Sequence, residues 1–331
     1  MSFYSWKNVK TFYQYHCKNN KEFLQNISEI PLTNYNSDCV NAKNEIVNID
    51  IIESTNQMEE LKELYKQNKL VTPRMGCVES AFMMKYMFNY DLPTHLKRSK
   101  DIDYNMRCNA GFYYKDPDTR DEISKWWCEQ TKELLLSTTL SSCYCFLQFD
   151  LPLWALLDIK KKFYNYAIMS EIILRYSQGK KILYIGSAVN SIKAGYERGL
   201  QKAWKFPVSD FSMYYLKTPQ TTQGCPYPHS SIKETCEVLV KEIGEKYKDF
   251  DTAVLGCGAY GSPIMNILRK KYPNKNLCYL GAECYKMFGI YSKGMPYIHY
   301  SDAKKENWIE VLESKPPGTE NHPEPKYWKC G

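Results

Sequence analysis

Hydrophobic and polar positions divide the chain into two parts with different patterns. Residues 1–70 are mostly polar, and they contain a strand-like run, EIVNIDII, followed by a helix-like segment, NQMEELKELYKQNKL. In that segment Met58, Leu61 and Leu64 recur at helical spacing. From about residue 71 onward, apolar runs alternate with amphipathic segments. The pattern therefore predicts an N-terminal α+β accessory segment over residues 1–70 and one larger domain over residues 71–331.

The first half of the larger domain, residues 71–180, begins with the segment LVTPRMGCVESAFMMKYMF. This segment predicts a short strand, a turn at Gly76 and a helix that starts near Glu79. A further helix is predicted over DPDTRDEISKWWCEQTKELLLSTT, because acidic residues lie in its first turn, where the helix dipole favours negative charge. The run SCYCFLQFDLPLWALL then indicates a buried strand that continues into a loop.

Strands and helices alternate more clearly in residues 181–300. Three strand-like runs, KKILYIGSA, FDTAVLGCGAYG and KNLCYLGAE, end in a glycine turn, and a fourth, FSMYYLKTPQTTQG, ends in a polar loop. The helical segments between them are VNSIKAGYERGLQKAW, SSIKETCEVLVKEIGEKYK and SPIMNILRKKYPN. This alternation predicts a Rossmann-like α/β sandwich of three layers, with a mostly parallel sheet covered on both faces. The Pro-rich tail, residues 301–331, is predicted to wrap the surface.

Composition indicates a folded core and gives little support to nucleic-acid binding. Hydrophobic residues make up 44% and charged residues 24%, as in globular domains. The formal charge is +7, from 44 basic and 37 acidic residues. This mild excess favours an anionic ligand such as a phosphate, but it falls short of the clustered basic face of a nucleic-acid-binding protein. The frequent use of Asn, Lys, Tyr and Ile is typical of an AT-rich genome, which is compatible with a large DNA virus or a protist.

Cysteine and histidine patterns give no indication of disulfides or of a zinc site. The 13 cysteines include no CxxC pair, and the polar N-terminus MSFYSWKNVK lacks the apolar core of a secretory signal. We therefore expect buried, reduced thiols in the cytoplasm. The five histidines lie far apart and form no HExxH pattern. No apolar run approaches the roughly 20 residues that span a bilayer, so no membrane-spanning segment is expected.

Three predicted strands end in a glycine turn, at Gly186, at Gly256 to Gly261 and at Gly281. In an open α/β sheet the carboxyl ends of the strands form the ligand crevice, and the helices that follow present free N–H groups to anions. We therefore expect these turns to build one phosphate-binding rim, in which Gly256, Gly258 and Gly261 let the backbone approach a diphosphate. The alternative is that the glycines only permit tight turns and close packing.

The turn GCGAYG does not by itself identify a ligand. A dinucleotide-binding unit requires an acidic residue about 20 residues further on, and Glu283 lies at about that distance. However, the turn comes late in the chain, and no second half-site for nicotinamide is visible. A methyltransferase that uses S-adenosylmethionine would place its glycine turn on the first strand, where ILYIGSA lacks the usual multi-glycine loop. Both nucleotide-binding classes remain alternatives.

A second candidate site is the segment RMGCVES, which crosses the predicted turn from the first strand to its helix. Arg74 stands two residues before Gly76, and Glu79 stands three residues after it. A carboxylate at this position can ligate a metal or act as a base, and the arginine can pair with a diphosphate. The alternative is a structural ion pair between Arg74 and Glu79, or a carboxylate that only favours the helix N-terminus.

Seven segments of the chain together resemble a known family. In chain order they are PRMGCVESAF, CNAGFYY, KKILYIGSAVNSIKAGYERG, YLKTPQTTQG, FDTAVLGCGAYGSPIMNILRK, CYLGAECYKMFGIYSKG and KYW. The set is similar to predicted bacterial and viral glycosyltransferase-like proteins related to the GT-D fold, over about residues 70–330. Its most specific parts are GCGAYGSP and GAECYKMFGIYSKG. The resemblance implies a GT-D-like domain that transfers a sugar from a nucleotide-diphosphate sugar to a glycan or protein acceptor.

In that family an R-x-G-D-x-E motif ends an early strand, and its acidic residues hold a divalent metal ion on the donor diphosphate. Arg74, Gly76 and Glu79 match this motif, whereas Cys77 stands where the motif has an aspartate. The resemblance implies that Arg74 and Glu79 are catalytic, with Mn²⁺ or Mg²⁺ on Glu79. A thiol is a poor ligand for a hard cation, so three alternatives stay open. Glu79 alone anchors the metal, basic side chains act without one, or catalysis has been lost and the chain is a GT-like binding protein.

The resemblance also implies that the glycine turns and the polar loop form the rest of the donor cleft. The predicted donor-binding residues are Gly76, Gly186, Ser187, Gln220, Thr221, Gly256, Gly258, Tyr260, Gly261, Gly281 and Glu283. Backbone donors would come from Ser187 and Ala188, and positive charge for the leaving diphosphate would come from Arg74, Lys193 and Arg198. As acceptor base, Glu283 and Asp150 are the candidates.

Overall fold

The structure is a computed structural model that describes residues 54–88, 101–138, 140–143, 153, 157, 162–222, 225–292 and 302–316. The predicted strand EIVNIDII, the candidate base Asp150 and residues 317–331 of the tail lie outside these ranges. Within these ranges the predicted α/β class is confirmed.

The described residues contain nine α-helices, and most of them lie where amphipathic spacing predicts them. They are α1 Ser54–Lys66, α2 Cys77–Phe88, α3 Ile102–Ala110, α4 Arg120–Leu136, α5 Tyr166–Tyr176, α6 Val189–Glu197, α7 Ile232–Lys246, α8 Gly261–Lys271 and α9 Glu283–Met287. Helix α4 starts later than predicted, because the Asp116 carboxylate accepts a hydrogen bond from Asp118 N (3.0 Å) and caps a separate 3₁₀ turn, Pro117–Thr119. Helix α2 starts two residues before Glu79, at Cys77.

Within the described ranges, nine strands form one main sheet and two small ribbons. They are β1 Val71–Thr72, β2 Leu140–Cys143, β3 Lys162–Asn165, β4 Lys181–Gly186, β5 Ser212–Lys217, β6 Thr252–Gly256, β7 Asn276–Tyr279, β8 Ile290–Tyr291 and β9 Ile309–Glu310. Five of them form a sheet in the order β1-β7-β6-β4-β5, and every neighbouring pair is parallel. The prediction of a parallel sheet is therefore confirmed.

Helices cover both faces of the sheet, which gives the three predicted layers. Along β4, Leu183 and Ile185 pack into one core together with α2, α3, α4, α7 and α8. The alternate residues Ile182 and Tyr184 pack into a second core together with α1, α5, α6 and α9. Because both faces are buried, the central strands consist of nearly continuous apolar residues, which is the pattern that their sequences show.

Helix α1, which belongs to the predicted accessory segment, is tied to the main sheet at the amino end of β7. The side chain of Asn276 is fully buried there. Its Nδ2 donates to Tyr65 O (2.9 Å) and its Oδ1 accepts from Leu70 N (3.0 Å). The Thr252 hydroxyl on β6 donates to the Tyr65 hydroxyl (3.0 Å). This buried polar network fixes the start of β1, and with it the position of the segment that follows.

The order of the strands creates a switch point between β4 and β6. The chain leaves β4 through α6 on one face to reach β5, and it returns through α7 on the other face to reach β6. At such a point the connections diverge above and below the sheet and leave a crevice at the carboxyl ends of the strands. Gly186 of β4 pairs with Gly256 of β6 at this position.

Candidate functional site

The predicted site segments follow strands that all end at the same edge of the sheet. Arg74 comes two residues after β1, Ser187 directly after β4, Gly258 two residues after β6, and Gly281 two residues after β7. Because these strands are parallel, their carboxyl ends lie on one edge. The structure therefore brings the two motifs of the sequence, RMGCVES and the glycine turns, to one side of the molecule.

Arg74 lies directly over the turn that follows β7. A Cβ atom at Gly281 would lie 2.1 Å from Nη1 of Arg74, so the guanidinium occupies the space that any larger residue would fill. Gly281 also has a φ of +60°, which favours glycine. The positive φ therefore favours glycine at this position, and the flexible arginine side chain fills the space beside it.

Glu79 lies in the first turn of α2, against the turn that precedes the helix. A Cβ atom at Gly76 would lie 2.1 Å from Oε2 of Glu79, so the carboxylate packs against this glycine. Burial raises the pKa of Glu79, and its own backbone N–H and the nearby charge of Arg74 oppose the increase. The side chain of Cys77 lies outside the part of the chain that the structure describes.

Glu283 is the most deeply buried carboxyl group at this edge. Only 5% of the residue is exposed, and its Oε2 lies 3.7 Å from Nζ of Lys286, one helical turn further along α9. Its Oε1 is buried without a hydrogen-bond partner among the described residues. Burial raises the pKa of Glu283 to about 8, although the positive charges of Lys286 and Arg74 act in the opposite direction.

Arg74, Glu79, Glu283 and Lys286 form what we call the charged corner, two cations and two carboxyl groups at the ends of β1 and β7. Arg74 interacts electrostatically with both carboxyl groups. Tyr279, the last residue of β7, is buried beside them, and this burial raises the pKa of its hydroxyl. The corner thus combines fixed positive charge, which suits a phosphate, with a carboxyl oxygen that has no described partner.

A divalent cation fits the charged corner only if a ligand completes its coordination. Mg²⁺ in nucleotide sites is typically held by one or two carboxylates together with phosphate oxygens of the substrate. The carboxylate of Glu79 could supply such an oxygen. Within the described ranges, no cluster of three or more His, Cys, Asp or Glu residues could hold a metal ion. The donor set is therefore compatible with a cation that arrives with a phosphate, and too small for one that is held by the protein alone.

The glycine turn after β6 is closely packed against other parts of the chain. Gly258 has a φ of +56°, and a Cβ atom there would lie 2.4 Å from Ala110 O at the end of α3. A Cβ atom at Gly261 would lie 2.5 Å from the ring of Tyr279, whose hydroxyl donates to Gly258 O (2.7 Å).

The two paired glycines of β4 and β6 are equally enclosed. A Cβ atom at Gly256 would lie 3.0 Å from Cys284 Sγ, and one at Gly186 would lie 2.3 Å from the Tyr184 hydroxyl. For all four glycines of β4, β6 and the GCGAYG turn, the space where a Cβ atom would lie is filled by other atoms of the same chain. This geometry corresponds to the close-packing alternative for these turns.

The hydroxyl groups of Thr221 and Tyr260 are engaged inside the protein. Thr221 Oγ1 donates to Gly111 O (2.6 Å) and lies 2.7 Å from the Tyr260 hydroxyl, which therefore donates to it. Both residues are buried. They connect the loop after β5, the turn after β6 and the end of α3, so their observed contacts are structural ones.

Ser187 and Gln220 remain at the surface of the same edge. Gln220 Nε2 donates to Ser187 Oγ (2.8 Å), which joins the loops after β4 and β5. Both side chains are partly exposed. Of the predicted donor-binding side chains, this pair is open to solvent, so it could exchange its mutual hydrogen bond for one to a ligand.

The start of α6, where backbone donors for a phosphate were predicted, holds an anion from the chain itself. Ser191 N donates to Glu313 Oε1 (3.1 Å), and the Ser191 hydroxyl donates to Oε2 of the same carboxylate. Leu312 N donates in turn to Ser191 Oγ (2.8 Å). A carboxylate at a helix N-terminus takes the position in which a phosphate would be stabilised. Glu313 would therefore compete with a diphosphate for the start of α6, where Ser187 and Ala188 were predicted to donate hydrogen bonds to it.

The two other predicted cations have partners outside the charged corner. Lys193 is exposed, and its Nζ lies 3.8 Å from Glu197, one turn along the same helix. Arg198 follows the last residue of α6, about 13 Å along the axis from the start of the helix. Its Nη2 lies 3.5 Å from Gly289 O. The second cation of the charged corner is Lys286, which was not among the predicted site residues. Its three-residue spacing from Glu283 within GAECYK was the available signal.

Comparison of the chain with protein-family models, with curated proteins and with solved structures finds no match. The described helices include none that is both long enough and apolar enough to cross a membrane. Functional inference therefore depends on the chemistry of the charged corner and on its place at the carboxyl edge of a parallel sheet.

Proposed function

We propose that this chain binds a nucleotide-diphosphate sugar at the charged corner and transfers the sugar to a glycan or protein acceptor, using a GT-D-like arrangement of its α/β domain. The observation that carries the proposal is the position of Arg74. Its guanidinium lies over Gly281 at the carboxyl edge and interacts with the carboxyl groups of Glu79 and Glu283.

Arg74 suits a diphosphate because its guanidinium is planar and permanently charged. A guanidinium presents parallel N–H donors that match two phosphate oxygens, and it keeps its charge at every physiological pH. Negative charge grows on the diphosphate as the bond to the sugar breaks, so a fixed cation stabilises the transition state more than the ground state. Lys286 Nζ, 3.7 Å from Glu283, lies close enough to add a second positive charge.

Glu79 has two possible roles in this proposal, and they differ in their dependence on metal. If a divalent cation binds with the donor, Glu79 would supply one of its oxygen ligands, and the cation would neutralise charge on the leaving diphosphate. If no cation binds, Glu79 orients Arg74 through their electrostatic interaction.

The position of Glu313 favours a diphosphate at the charged corner over one at the start of α6. Dinucleotide-binding proteins place their pyrophosphate on the helix that follows the strand at the switch point. In this chain the switch point lies between β4 and β6, which are followed by α6 and α8, and one N-terminal donor of α6, Ser191 N, is used by Glu313.

A thermal-shift panel tests the proposal. We expect UDP-glucose, UDP-N-acetylglucosamine or GDP-mannose to raise the melting temperature, because a ligand that binds only the folded state stabilises it by about 2.7 kcal/mol at 100 times its Kd. S-adenosylmethionine and NAD should produce no shift. Stabilisation by either of these alone would contradict the proposal, and so would the absence of a shift with every nucleotide.

The same panel with and without Mn²⁺ separates the two roles of Glu79. If the cation binds on Glu79, the variant Glu79→Gln should lose the increment that Mn²⁺ adds and keep the shift measured without metal. The variant Cys77→Asp, which restores the family's motif, should enlarge the Mn²⁺ increment. An increment that Glu79→Gln leaves unchanged would exclude Glu79 as the metal ligand.

A further inference from the structure

Glu283 contains a buried oxygen atom whose lack of a partner calls for a physical reason. Most buried polar atoms in folded proteins are hydrogen-bonded, and one that is left without a partner is destabilising. The side chain of Glu283 is 4% exposed, and its Oε1 has no partner within the described residues. It lies in the charged corner, two residues after the Gly281 turn that receives Arg74.

We infer that Oε1 of Glu283 accepts a hydrogen bond from a hydroxyl group of the donor sugar, so that Glu283 determines which sugar the site accepts. This inference rests on the proposed function and deepens it from the nucleotide to the sugar. The sugar is joined directly to the diphosphate, and Glu283 interacts electrostatically with the arginine that would hold that diphosphate. Because Oε1 is buried in the structure, binding of the sugar requires a local rearrangement that exposes this oxygen.

The charges around Glu283 favour a neutral hydroxyl over an ion. A phosphate is bound better by the positive charges of Arg74 and Lys286 than by a carboxyl group. A cation held by Glu283 itself would meet the positive charges of the same two side chains. A hydroxyl carries no charge, and it can donate its proton to Oε1 while its own oxygen remains available to accept.

Burial makes such a contact selective. A site whose buried polar group is satisfied by a ligand hydroxyl rejects an analogue that lacks the hydroxyl, because the polar group is then left unpaired. Oε1 of Glu283 is buried, so little solvent is present to replace a missing hydroxyl. We therefore expect discrimination at the sugar and little effect on the nucleotide.

Isothermal titration calorimetry with paired probes tests this inference. Each protein is titrated with UDP and UDP-glucose, and with GDP and GDP-mannose, so that the sugar is the only difference within a pair. For the pair that the wild type binds, Glu283→Ala should weaken binding of the nucleotide sugar about 10- to 100-fold, as expected when loss of one partner leaves a polar group unpaired. Binding of the free nucleoside diphosphate should change by less than about twofold, since Arg74 is unchanged.

Two further variants keep the test interpretable. Glu283→Gln retains an oxygen acceptor and the size of the side chain, so it should bind the nucleotide sugar with an affinity between those of the wild type and Glu283→Ala. Glu237→Gln removes a carboxylate from the exposed face of α7 and should behave as the wild type.

Deoxy and fluoro analogues of the donor sugar identify the hydroxyl. The analogue that lacks the recognised group should bind the wild type more weakly and should lose nothing further in Glu283→Ala. Equal weakening of sugar and nucleoside diphosphate in Glu283→Ala would overturn the inference and leave the proposed function intact. An unchanged affinity for both would do the same. A wild type that binds no nucleotide at all would overturn the inference together with the proposed function.

Discussion

Replacing Gly258 by alanine should lower the free energy of unfolding by about 2 to 5 kcal/mol, as the sum of backbone strain and overpacking. Gly258 has a φ of +56°, in the left-handed region that alanine adopts only with strain. The new Cβ would also lie 2.4 Å from Ala110 O. That oxygen belongs to the backbone at the end of α3, so it cannot move aside as a flexible side chain would. Urea denaturation followed by circular dichroism measures the change.

Gly179→Ala is the matched control for this substitution. Gly179 has a φ of +71°, similar to that of Gly258, but no described atom lies within 4 Å of the Cβ position. The control should therefore show the strain alone, about 1 to 2 kcal/mol. Equal losses in the two variants would show that the contact between the turn after β6 and α3 is not the reason for the glycine.

Replacing Glu283 by glutamine should stabilise the protein at pH 8 by about 3 to 5 kcal/mol and leave its stability at pH 4 nearly unchanged. Burial raises the pKa of Glu283 from 4.5 to about 8. Between these values the unfolded chain has lost the proton and the folded chain still binds it, so folding becomes less favourable as the pH rises. Below pH 4.5 the carboxyl is protonated in both states and the penalty disappears.

The ionisable groups around Glu283 also affect how stability depends on pH. Arg74 and Lys286 lower the pKa of Glu283, and Cys284, which interacts with Glu283, is itself a buried thiol whose pKa burial raises. Burial also raises the pKa of Glu79, so Glu283→Gln should retain a weaker pH dependence of the same sign. Unfolding free energies of both proteins at pH 4 and pH 8 decide the question. If the variant and the wild type differed in unfolding free energy by the same amount at both pH values, ionisation of Glu283 would not be the cause of the difference.

The sequence allows the layers of the fold to be predicted, because their cause is local. Apolar runs such as TAVLG and amphipathic segments such as IKETCEVLVKEIGEK place β6 and α7 without knowledge of their neighbours. A parallel sheet then follows from the alternation of strands and helices. The strand order does not follow, because the position of β1 beside β7 depends on contacts between residues about 200 positions apart, such as Leu70 with Asn276.

The location of the candidate site could be predicted from the sequence, whereas the contacts of its side chains could not. Turns that follow parallel strands must meet at one edge, so Arg74 and Gly281 could be grouped from their motifs alone. A glycine in a motif, however, does not show whether a ligand or another part of the chain fills the space beside it. Gly281 makes room for Arg74 and Gly258 makes room for Ala110, and both contacts are with distant parts of the chain. The carboxylate of Glu313 at the start of α6 is another contact that motif spacing could not indicate.

The central claim is that Arg74 holds the diphosphate of a nucleotide sugar, and calorimetry on Arg74 variants tests it most directly. Arg74→Ala should weaken binding of the preferred nucleoside diphosphate by about 100-fold or more, as expected when a bidentate, charge-assisted contact is lost. Arg74→Lys should recover part of that loss, because it restores the charge without the paired donors. Arg120→Ala, which removes a half-exposed arginine paired with Asp121, should bind as the wild type does. An Arg74→Ala variant that keeps its fold and binds with wild-type affinity would contradict the account.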